Sequence, residues 1–525
     1  MKILENITPR KYQKDIFENC INKNCLVVIP TGLGKTLIAL MLTVERMKKF
    51  PGEKVVFLAP TKPLAEQHLN YFKDNLPELF GDFQLFTGSI KPKQRQKIWE
   101  TADIIFSTPQ CVANDLKNRL YSLEDVCLLV EDEAHRCVRN YDYNYVAKKY
   151  KEQSKNQRIL GLTASPGSNS SKIREICKNL SIEEVELRTR DSPDVSQYLQ
   201  ELKFEKVHVD LHPEFNKIRD SLDKLLKQYI SELRNRRVLF GPANKGSLIK
   251  LQKNIMSKIS RGYKDYNLLL SASACATAIK IQHSLELLET QTLFGFHKYL
   301  KELSEQAKKK KSRGVVKLVS NPEFKYSFMK SKRLLGKNIE HPKILKLFEI
   351  VKEEKSKNTE SKIMIFSQFR DTAHLISDYL NDISEVKSRV FIGQAKKSSH
   401  SGRQTGLSQK EQKGLLQEFS TKKINVLCAT SIGEEGLDIP EVNTVIFYEP
   451  IPSAIRSIQR AGRTARMMEG KLIMLITKET RDEAHFYISK AKEKRMKNAI
   501  KTIKKNLSGK QSEGIQKNLN EIKNE

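Results

Sequence analysis

The chain has 525 residues, of which 39% are hydrophobic and 30% are charged, so it is long enough for three or four folded domains and is neither disordered nor membrane-embedded. Its 93 Lys and Arg residues against 62 Asp and Glu residues give a formal net charge of +31. This excess favours a polyanionic partner, either nucleic acid or an anionic membrane surface, although lysines that only promote solubility would give the same balance.

Two features of the sequence bear on the cellular compartment. No apolar run approaches the ~20 residues that span a bilayer, and the first residues lack the apolar core of a signal peptide. The eight cysteines include no pair with two intervening residues, which favours reduced core thiols over zinc ligands or disulfides. We therefore expect a cytoplasmic protein, associated with the nucleoid of a prokaryotic or archaeal cell.

A glycine loop lies between a predicted strand and a predicted helix near the amino terminus. The apolar run 26–29 leads into the loop 30–36, after which apolar residues recur at helical spacing. Glycines let backbone N–H groups turn towards phosphate oxygens, and the start of the helix adds its positive end. In such a loop Lys35 contacts the β- and γ-phosphates, and Thr36 offers its hydroxyl to Mg²⁺. The candidate nucleotide-binding residues are Thr31, Gly32, Gly34, Lys35 and Thr36.

Two adjacent carboxylates follow a later apolar run. Asp132 and Glu133 come after the run 126–130, at the carboxyl end of a predicted parallel strand, where open α/β sheets place their ligands. Asp132 and Thr36 suit Mg²⁺, and Glu133 suits both this metal site and the deprotonation of an attacking water. Adjacent acids are commonly only solvated, but the glycine loop upstream makes a nucleotide site the favoured interpretation.

Short apolar runs alternate with helix-length segments in two separate stretches of the chain. The runs are 26–29, 55–59, 104–107, 126–130 and 159–162 in the first stretch, and 363–366, 426–429, 445–448 and 472–476 in the second. Buried strands separated by helices predict parallel sheets, so we expect two α/β domains.

The segment between these stretches differs in composition. Residues 205–340 have apolar residues at helical spacing and contain 28 Lys and Arg residues against 13 Asp and Glu residues, a net charge of +15. We therefore predict a first α/β domain over 1–204, a helical insert over 205–340, a second α/β domain over 341–500 and a basic polar tail or linker over 501–525.

Taken together, the glycine loop and the Asp-Glu-Ala-His string resemble the superfamily 2 helicases of the DEAH-box type. In that group Pro-Thr-Gly-x-Gly-Lys-Thr replaces the stricter loop, which agrees with Ile29 at the position of its first glycine. The resemblance implies two RecA-like motor domains that use ATP and Mg²⁺. It also implies that Arg10 and Gln13 recognise adenine, and that Thr163-Ala164-Ser165 couples the nucleotide state to domain movement.

The same resemblance implies further residues from the second domain. The string Gln-Arg-Ala-Gly-Arg-Thr-Ala-Arg over 459–466 is similar to the last helicase motif, with Ala465 where the common pattern has glycine. It implies catalytic roles for Gln459, Arg463 and Arg466, of which the two arginines reach the γ-phosphate across the cleft. Gly436 and Asp438 are implied to approach the nucleotide.

Residues after the ends of strands are implied to contact phosphates of one nucleic-acid strand. They are Pro60, Thr61, Lys62, Thr87, Gly88 and Thr108 in the first domain and Ser367, Gln368 and Thr430 in the second. A basic run in the insert is expected to add a clamp on duplex DNA, although such a run is often only a solvated loop. Its residues are Lys308, Lys309, Lys310, Lys311 and Arg313.

The order of these parts resembles the archaeal Hef helicases and the Fanconi anaemia group M proteins. It implies unwinding or branch migration of forked and four-way DNA in the repair of replication forks. RNA-sensing and Dicer-type helicases share the layout, so an RNA-dependent enzyme stays open, as does an ATP-switched DNA clamp without translocation. Nothing after Arg481 matches the nuclease signature of Hef proteins, so we expect no nuclease activity.

Overall fold

The computed structural model describes residues 7–199, 201–263, 265–310, 312–394, 406–430, 440–451, 453 and 470–522. Over these residues the chain forms two parallel β-sheets and a helical bundle. Each sheet has a separate apolar cluster on each of its two faces, because successive side chains of a strand point in opposite directions. The predicted α/β fold class is confirmed.

The first sheet has seven parallel strands in the order β3-β4-β2-β5-β6-β1-β7. They are β1 (Cys25–Val28), β2 (Lys54–Leu58), β3 (Phe83–Phe86), β4 (Ile104–Ser107), β5 (Val126–Asp132), β6 (Ile159–Thr163) and β7 (Glu184–Leu187). The helices of this domain are α1 (Lys11–Asn22), α2 (Lys35–Lys49), α3 (Lys62–Asn75), α4 (Pro92–Thr101), α5 (Pro109–Lys117), α6 (Asp142–Gln153), α7 (Ser170–Asn179) and α8 (Pro193–Ser196), with short 3₁₀ turns at Glu78–Phe80 and Ala134–Arg136.

The helical insert follows strand β8 (Leu202–Val209). It consists of α9 (Pro213–Asn235), α10 (Lys245–Ser260), α11 (Tyr266–Thr290), α12 (Leu293–Lys308), α13 (Arg313–Ser320) and α14 (Pro322–Gly336). Helix α9 carries the predicted helical stripe, and its residues Leu222, Leu225 and Leu233 are buried in the core of the bundle. Helix α10 packs on α11, and α14 packs on α9.

The second sheet has six parallel strands in the order β10-β11-β9-β12-β13-β8. Besides β8, they are β9 (Ile363–Phe366), β10 (Ser388–Phe391), β11 (Val426–Ala429), β12 (Thr444–Phe447) and β13 (Gly470–Thr477). Helices α15 (Pro342–Lys357), α16 (Arg370–Leu380), α17 (Gln409–Ser420) and α18 (Arg481–Ile522) belong to the same part of the chain.

The predicted boundary between residues 204 and 205 falls inside a strand. Strand β8 pairs in parallel with β13 along its whole length, so the chain enters the second sheet before it forms the insert. Most side chains of β8 are exposed, because it is an edge strand, and it therefore lacks the apolar run by which the interior strands were predicted. The insert is thus placed between two strands of the second domain.

Helix α18 extends into the predicted polar tail over 501–525. Helix α18 begins beside the second sheet, where Phe486 is buried, and it continues without interruption to Ile522. Met496, Ile500 and Ile503 are buried in the apolar cluster of the first domain. Their spacing of four and three residues places them on one face of the helix. Helix α18 therefore crosses from the second domain to the first.

A buried polar junction joins the insert to the second domain. The ammonium of Lys343, near the start of α15, pairs with the carboxylate of Asp482 at the start of α18, and both side chains are fully buried. Lys343 also donates to the carbonyl of Thr290 at the end of α11 (3.2 Å). Beside this pair, the guanidinium of Arg481 binds Glu289 of α11 (2.6 Å). These bonds fix the bundle to the sheet that follows it.

Among the described residues, no helix is long and apolar enough to cross a membrane. All eight cysteines are buried and are free thiols.

The crossing of α18 gives a stability prediction. Ile500→Ala removes a fully buried side chain from the first domain, so we expect a loss of about 2–5 kcal/mol in the stability of that domain. Thermal unfolding and limited proteolysis of the full chain measure the effect. Ile488→Ala is the matched control, because Ile488 lies on the same helix with 42% of its surface exposed. Equal effects of the two substitutions would contradict the docking of α18 on the first domain.

Candidate nucleotide and nucleic-acid site

The predicted phosphate-binding loop connects β1 to α2. Gly32 and Gly34 have positive φ angles of 84° and 76°, and Gly34 is the residue before the first turn of α2. A Cβ atom on Gly34 would collide with the side-chain amide of Gln13. Glycine is therefore required at this position for two reasons, the backbone conformation and the close approach of Gln13. Thr31 and Gly32 lie in the turn before α2, and Lys35 and Thr36 are the first two residues of that helix.

The first turn of α1, together with Arg10 just before it, is bound to this loop. The amide of Gln13 donates from Nε2 to the carbonyl of Leu33 (3.1 Å), and Gln13 Oε1 accepts from the backbone N–H of Arg10 (2.8 Å). The hydroxyl of Tyr12 donates to the same Leu33 carbonyl (2.8 Å). The Arg10 guanidinium lies 5.1 Å from the centre of the Tyr198 ring. The two predicted adenine-binding residues therefore lie beside the phosphate-binding loop.

The side chain of Lys35 lies along its own loop. Its ammonium donates to the carbonyls of Ile29 (3.1 Å) and Pro30 (3.3 Å). The two carbonyl oxygens hold this half-buried ammonium at the loop. An anion that binds there can replace the carbonyls as the partner of the ammonium.

Asp132 and Thr36 are joined by a residue that sequence analysis missed. Nε2 of His68 donates to Asp132 Oδ2 (3.0 Å), and Nδ1 of the same ring lies 3.4 Å from the Thr36 hydroxyl. His68 belongs to α3 and is 7% exposed. Burial alone would raise the pKa of the Asp132 carboxyl, but the His68 hydrogen bond and the positive charge of Lys35 outweigh burial, and that pKa lies below its usual value. Asp132 is therefore ionised.

Glu133 leaves the sheet in an unusual conformation. Its φ of 52° is left-handed, which turns the chain sharply out of β5. His135 Nδ1 lies 3.1 Å from Glu133 Oε2 and 3.2 Å from the Thr163 hydroxyl at the end of β6. Glu133 Oε2 is buried, and its close contact with His135 lacks the geometry of a hydrogen bond, so no described residue donates to it. This oxygen is an available proton acceptor beside the loop.

The surroundings of Glu131, the carboxyl just before Asp132, shift its pKa in the opposite direction. It is fully buried, and burial raises its pKa to about 8, although a hydrogen bond from the Cys137 thiol (2.8 Å) opposes the shift. Glu131 is therefore protonated at neutral pH while Asp132 is ionised. Consecutive residues of a strand point to opposite faces of the sheet, which explains how neighbouring carboxyls differ.

The candidate nucleic-acid residues of the first domain follow three adjacent strands. Pro60, Thr61 and Lys62 follow β2, Thr87 and Gly88 follow β3, and Thr108 follows β4. All three strands are parallel, so these residues share one edge of the sheet. A buried ion pair joins Arg95 of α4 to Asp115 of α5 (Nε to Oδ2, 2.7 Å). It holds together the two helices that follow the loops after β3 and β4.

The second domain brings its candidates together in the same way. Ser367 and Gln368 follow β9, Thr430 follows the neighbouring strand β11, and the Ser367 N–H donates to the carbonyl of Ala429 (3.0 Å). In the insert, Lys308, Lys309, Lys310 and Arg313 are exposed around the connection between α12 and α13. Lys311, Gly436, Asp438, Gln459, Arg463 and Arg466 lie outside the described residues.

Two residues that the sequence analysis did not single out have only a weak signal in the sequence. His68 lies seven positions after Thr61, so both side chains face the same side of α3. Glu131 extends the apolar run 126–130, where a carboxyl is an exception. Neither spacing by itself identifies a partner.

Three family models match separate parts of the chain. The DEAD/DEAH box helicase model matches residues 10–173, and the helicase conserved C-terminal domain matches residues 342–468. A model described as a helical bundle of an ATP-dependent RNA helicase matches residues 214–337.

Similar proteins are known from archaea and yeast. A Methanocaldococcus jannaschii protein named as an ATP-dependent RNA helicase is 38% identical over 95% of this chain and 61% of its own length. The ATP-dependent DNA helicase fml1 of Schizosaccharomyces pombe is 32% identical over 96% of this chain and 60% of its own length. The crystal structure of the Pyrococcus furiosus Hef helicase domain is 41% identical, with a TM-score of 0.72, and covers 93% of this chain and 99% of that structure. The chain therefore spans about three fifths of the first two relatives.

The approach of Gln13 to Gly34 gives a binding prediction. Gly34→Ala forces a Cβ atom into the Gln13 amide and strains the left-handed backbone, so we expect nucleotide affinity to fall about tenfold or more. Titration with a fluorescent ATP analogue measures the change. The matched control is Gly52→Ala, since Gly52 has a φ of +83° but open space around a Cβ atom. Unchanged affinity in Gly34→Ala would contradict the assignment of this loop.

Proposed function

Because the chain belongs to the DEAD/DEAH box helicases, with a helicase part of the Hef and Fanconi anaemia group M type, we propose that it unwinds or branch-migrates forked and four-way DNA during the repair of replication forks. Membership of this family makes it an ATP-dependent helicase. We propose in addition that its substrate is branched, that it serves in repair and that it acts on chromosomal DNA in the cytoplasm.

One observation carries the nucleotide chemistry of this proposal. Thr36 and Asp132, which are far apart in sequence, are brought together at the carboxyl edge of the first sheet by His68. An ionised carboxylate and a hydroxyl are oxygen ligands of the kind that Mg²⁺ prefers, so these residues fit the ion. Mg²⁺ bound there would offset the negative charge of the ATP phosphates.

The remaining roles belong to residues of the chain itself. Lys35 exchanges its two loop carbonyls for phosphate oxygens, and Gln13 with Arg10 holds the adenine side of the nucleotide. Glu133 Oε2, which accepts no hydrogen bond from the described residues, takes a proton from the attacking water. Gln459, Arg463, Arg466, Gly436 and Asp438 complete the site from the second domain, as the family resemblance implies.

The sheet edges support a track for one nucleic-acid strand. The candidate residues after β2, β3 and β4 and those after β9 and β11 present hydroxyls, backbone N–H groups and Lys62 at the carboxyl ends of parallel strands. Groups of this kind hold phosphates without reading sequence. Opening and closing of the two domains around ATP would then move this track in steps.

DNA is favoured over RNA by the relatives. The similar Hef structure and the yeast DNA helicase share the two motor domains and the insert. The RNA helicase name of the Methanocaldococcus jannaschii relative keeps an RNA-dependent ATPase as the second candidate. An ATP-switched clamp without translocation is the third, and it has no need of Glu133 as a base.

ATPase rates with different nucleic acids test the proposal. We expect forked DNA to stimulate hydrolysis more than single-stranded DNA or double-stranded RNA, and we expect Lys35→Ala and Glu133→Gln each to lower turnover about 100-fold or more. Fork binding by these two variants should persist, because the strand track lies on other loops. Stimulation by RNA alone would select the second candidate. Unchanged turnover in both variants would refute the nucleotide site, and turnover without strand separation would select the clamp.

The basic run of the insert gives a separate prediction. Changing Lys308, Lys309, Lys310 and Arg313 to Gln should weaken duplex binding and reduce the slope of log affinity against log salt by about 0.9 for each DNA phosphate that the variant no longer neutralises. A control variant carries the same number of changes at exposed lysines of the second domain, Lys352, Lys387, Lys422 and Lys423. Equal salt slopes in the two variants would show that the run only promotes solubility.

A further inference from the structure

His68 connects two parts of the first domain that the proposed function uses separately. Its helix, α3, begins directly after Pro60 and Thr61, at the end of β2. Its ring is buried against Phe57 of the same strand, with the ring centres 4.5 Å apart. Both ring nitrogens then face residues of the candidate nucleotide site, Asp132 and Thr36. The side chain is therefore held by packing and is directed by two polar contacts.

The beginning of α3 has groups that can hold a phosphate. Lys62 is exposed, and the hydroxyl of Thr61 is buried without a hydrogen-bond partner among the described residues. A rise of 1.5 Å per residue places His68 about 10 Å further along the same face of the helix. A contact at Thr61 or Lys62 therefore acts on the same rigid helix that carries His68.

The two polar contacts of the His68 ring differ in length. The bond from Nε2 to Asp132 has an ordinary length of 3.0 Å, whereas the separation of Nδ1 and the Thr36 hydroxyl, 3.4 Å, is at the long limit. A neutral imidazole that donates from Nε2 accepts at Nδ1. Shortening this contact by about 0.5 Å would direct the Thr36 proton towards His68 and leave the oxygen lone pairs free for a cation.

We propose that His68 is a positioning residue through which strand contact at the start of α3 aligns Thr36 and Asp132, so that nucleic acid stimulates ATP hydrolysis. This inference rests on the proposed function, since it assigns the route by which one of its ligands activates the other. His68 itself touches neither ATP nor nucleic acid. It acts through the orientation of a hydroxyl and a carboxylate.

Three substitutions separate this role from packing. His68→Phe keeps a ring on Phe57 and removes both polar contacts. His68→Gln can still donate to Asp132 from its Nε2, and His68→Asn can still reach towards Thr36 from the position of Nδ1. Loss of a group that orients metal ligands typically costs 10–100-fold in metal affinity or activity.

The experiment uses the full chain with forked DNA. In His68→Phe we expect the ratio of fork-stimulated to unstimulated ATPase to fall about tenfold, while the dissociation constant for the fork changes less than about twofold. We also expect more Mg²⁺ to be needed for binding of a fluorescent, non-hydrolysable ATP analogue, which is measured without turnover. His68→Gln should recover most of both losses, and His68→Asn less.

The opposing outcomes are distinct. A wild-type stimulation ratio and Mg²⁺ requirement in His68→Phe would overturn the inference and leave the proposed function intact. Equal losses in all three variants, together with lower unfolding temperatures, would assign His68 to packing only and would overturn it as well. If no nucleic acid stimulated the wild-type enzyme, the proposed function would fail, and this inference would fail with it.

Discussion

The buried ion pair between Lys343 and Asp482 connects helices that lie far apart in the sequence. Two charges inside a protein are stable only when they satisfy each other, and removal of one partner costs about 3–5 kcal/mol. Here the pair lies where the end of α11, the start of α15 and the start of α18 meet. With Arg481 bound to Glu289, it fixes the helical insert to the second sheet. The insert is therefore joined to the second domain by buried polar bonds from three helices.

The first domain arranges its polar residues by the alternation of a single strand. At the end of β5, Glu131 points into an apolar core and is neutral, whereas Asp132 points towards His68 and Lys35 and is ionised. Glu133 then leaves the strand with a left-handed backbone that turns its carboxylate towards His135. Three consecutive acids thus have three different surroundings. The fold, rather than the residue type, decides the environment of each carboxyl.

The strands that could be predicted from the sequence are those with neighbours on both sides. The predicted runs correspond to β1, β2, β4, β5, β6, β9, β11, β12 and β13, all of which lie inside their sheets. The four missed strands, β3, β7, β8 and β10, are the four edges, where half-exposed side chains replace the apolar run. The motifs placed Lys35, Thr36, Asp132 and Glu133 at one sheet edge. They could not place His68, because only the folded chain brings it to Asp132 and Thr36. The buried face of α18 could not be predicted either, because its apolar residues are interspersed with lysines.

The chain passes between the two motor domains at two places, once between α8 and β8 and once along α18. These passages are neighbours, since Lys497 of α18 pairs with Asp191, just before α8 (3.6 Å). Two bodies joined at a single point can swivel in every direction, whereas two side-by-side links leave rotation about one axis as the easiest motion. If the two domains open and close around ATP as proposed, such a constraint gives their displacement a fixed direction. A motor that advances along a strand needs a repeatable direction more than a large amplitude.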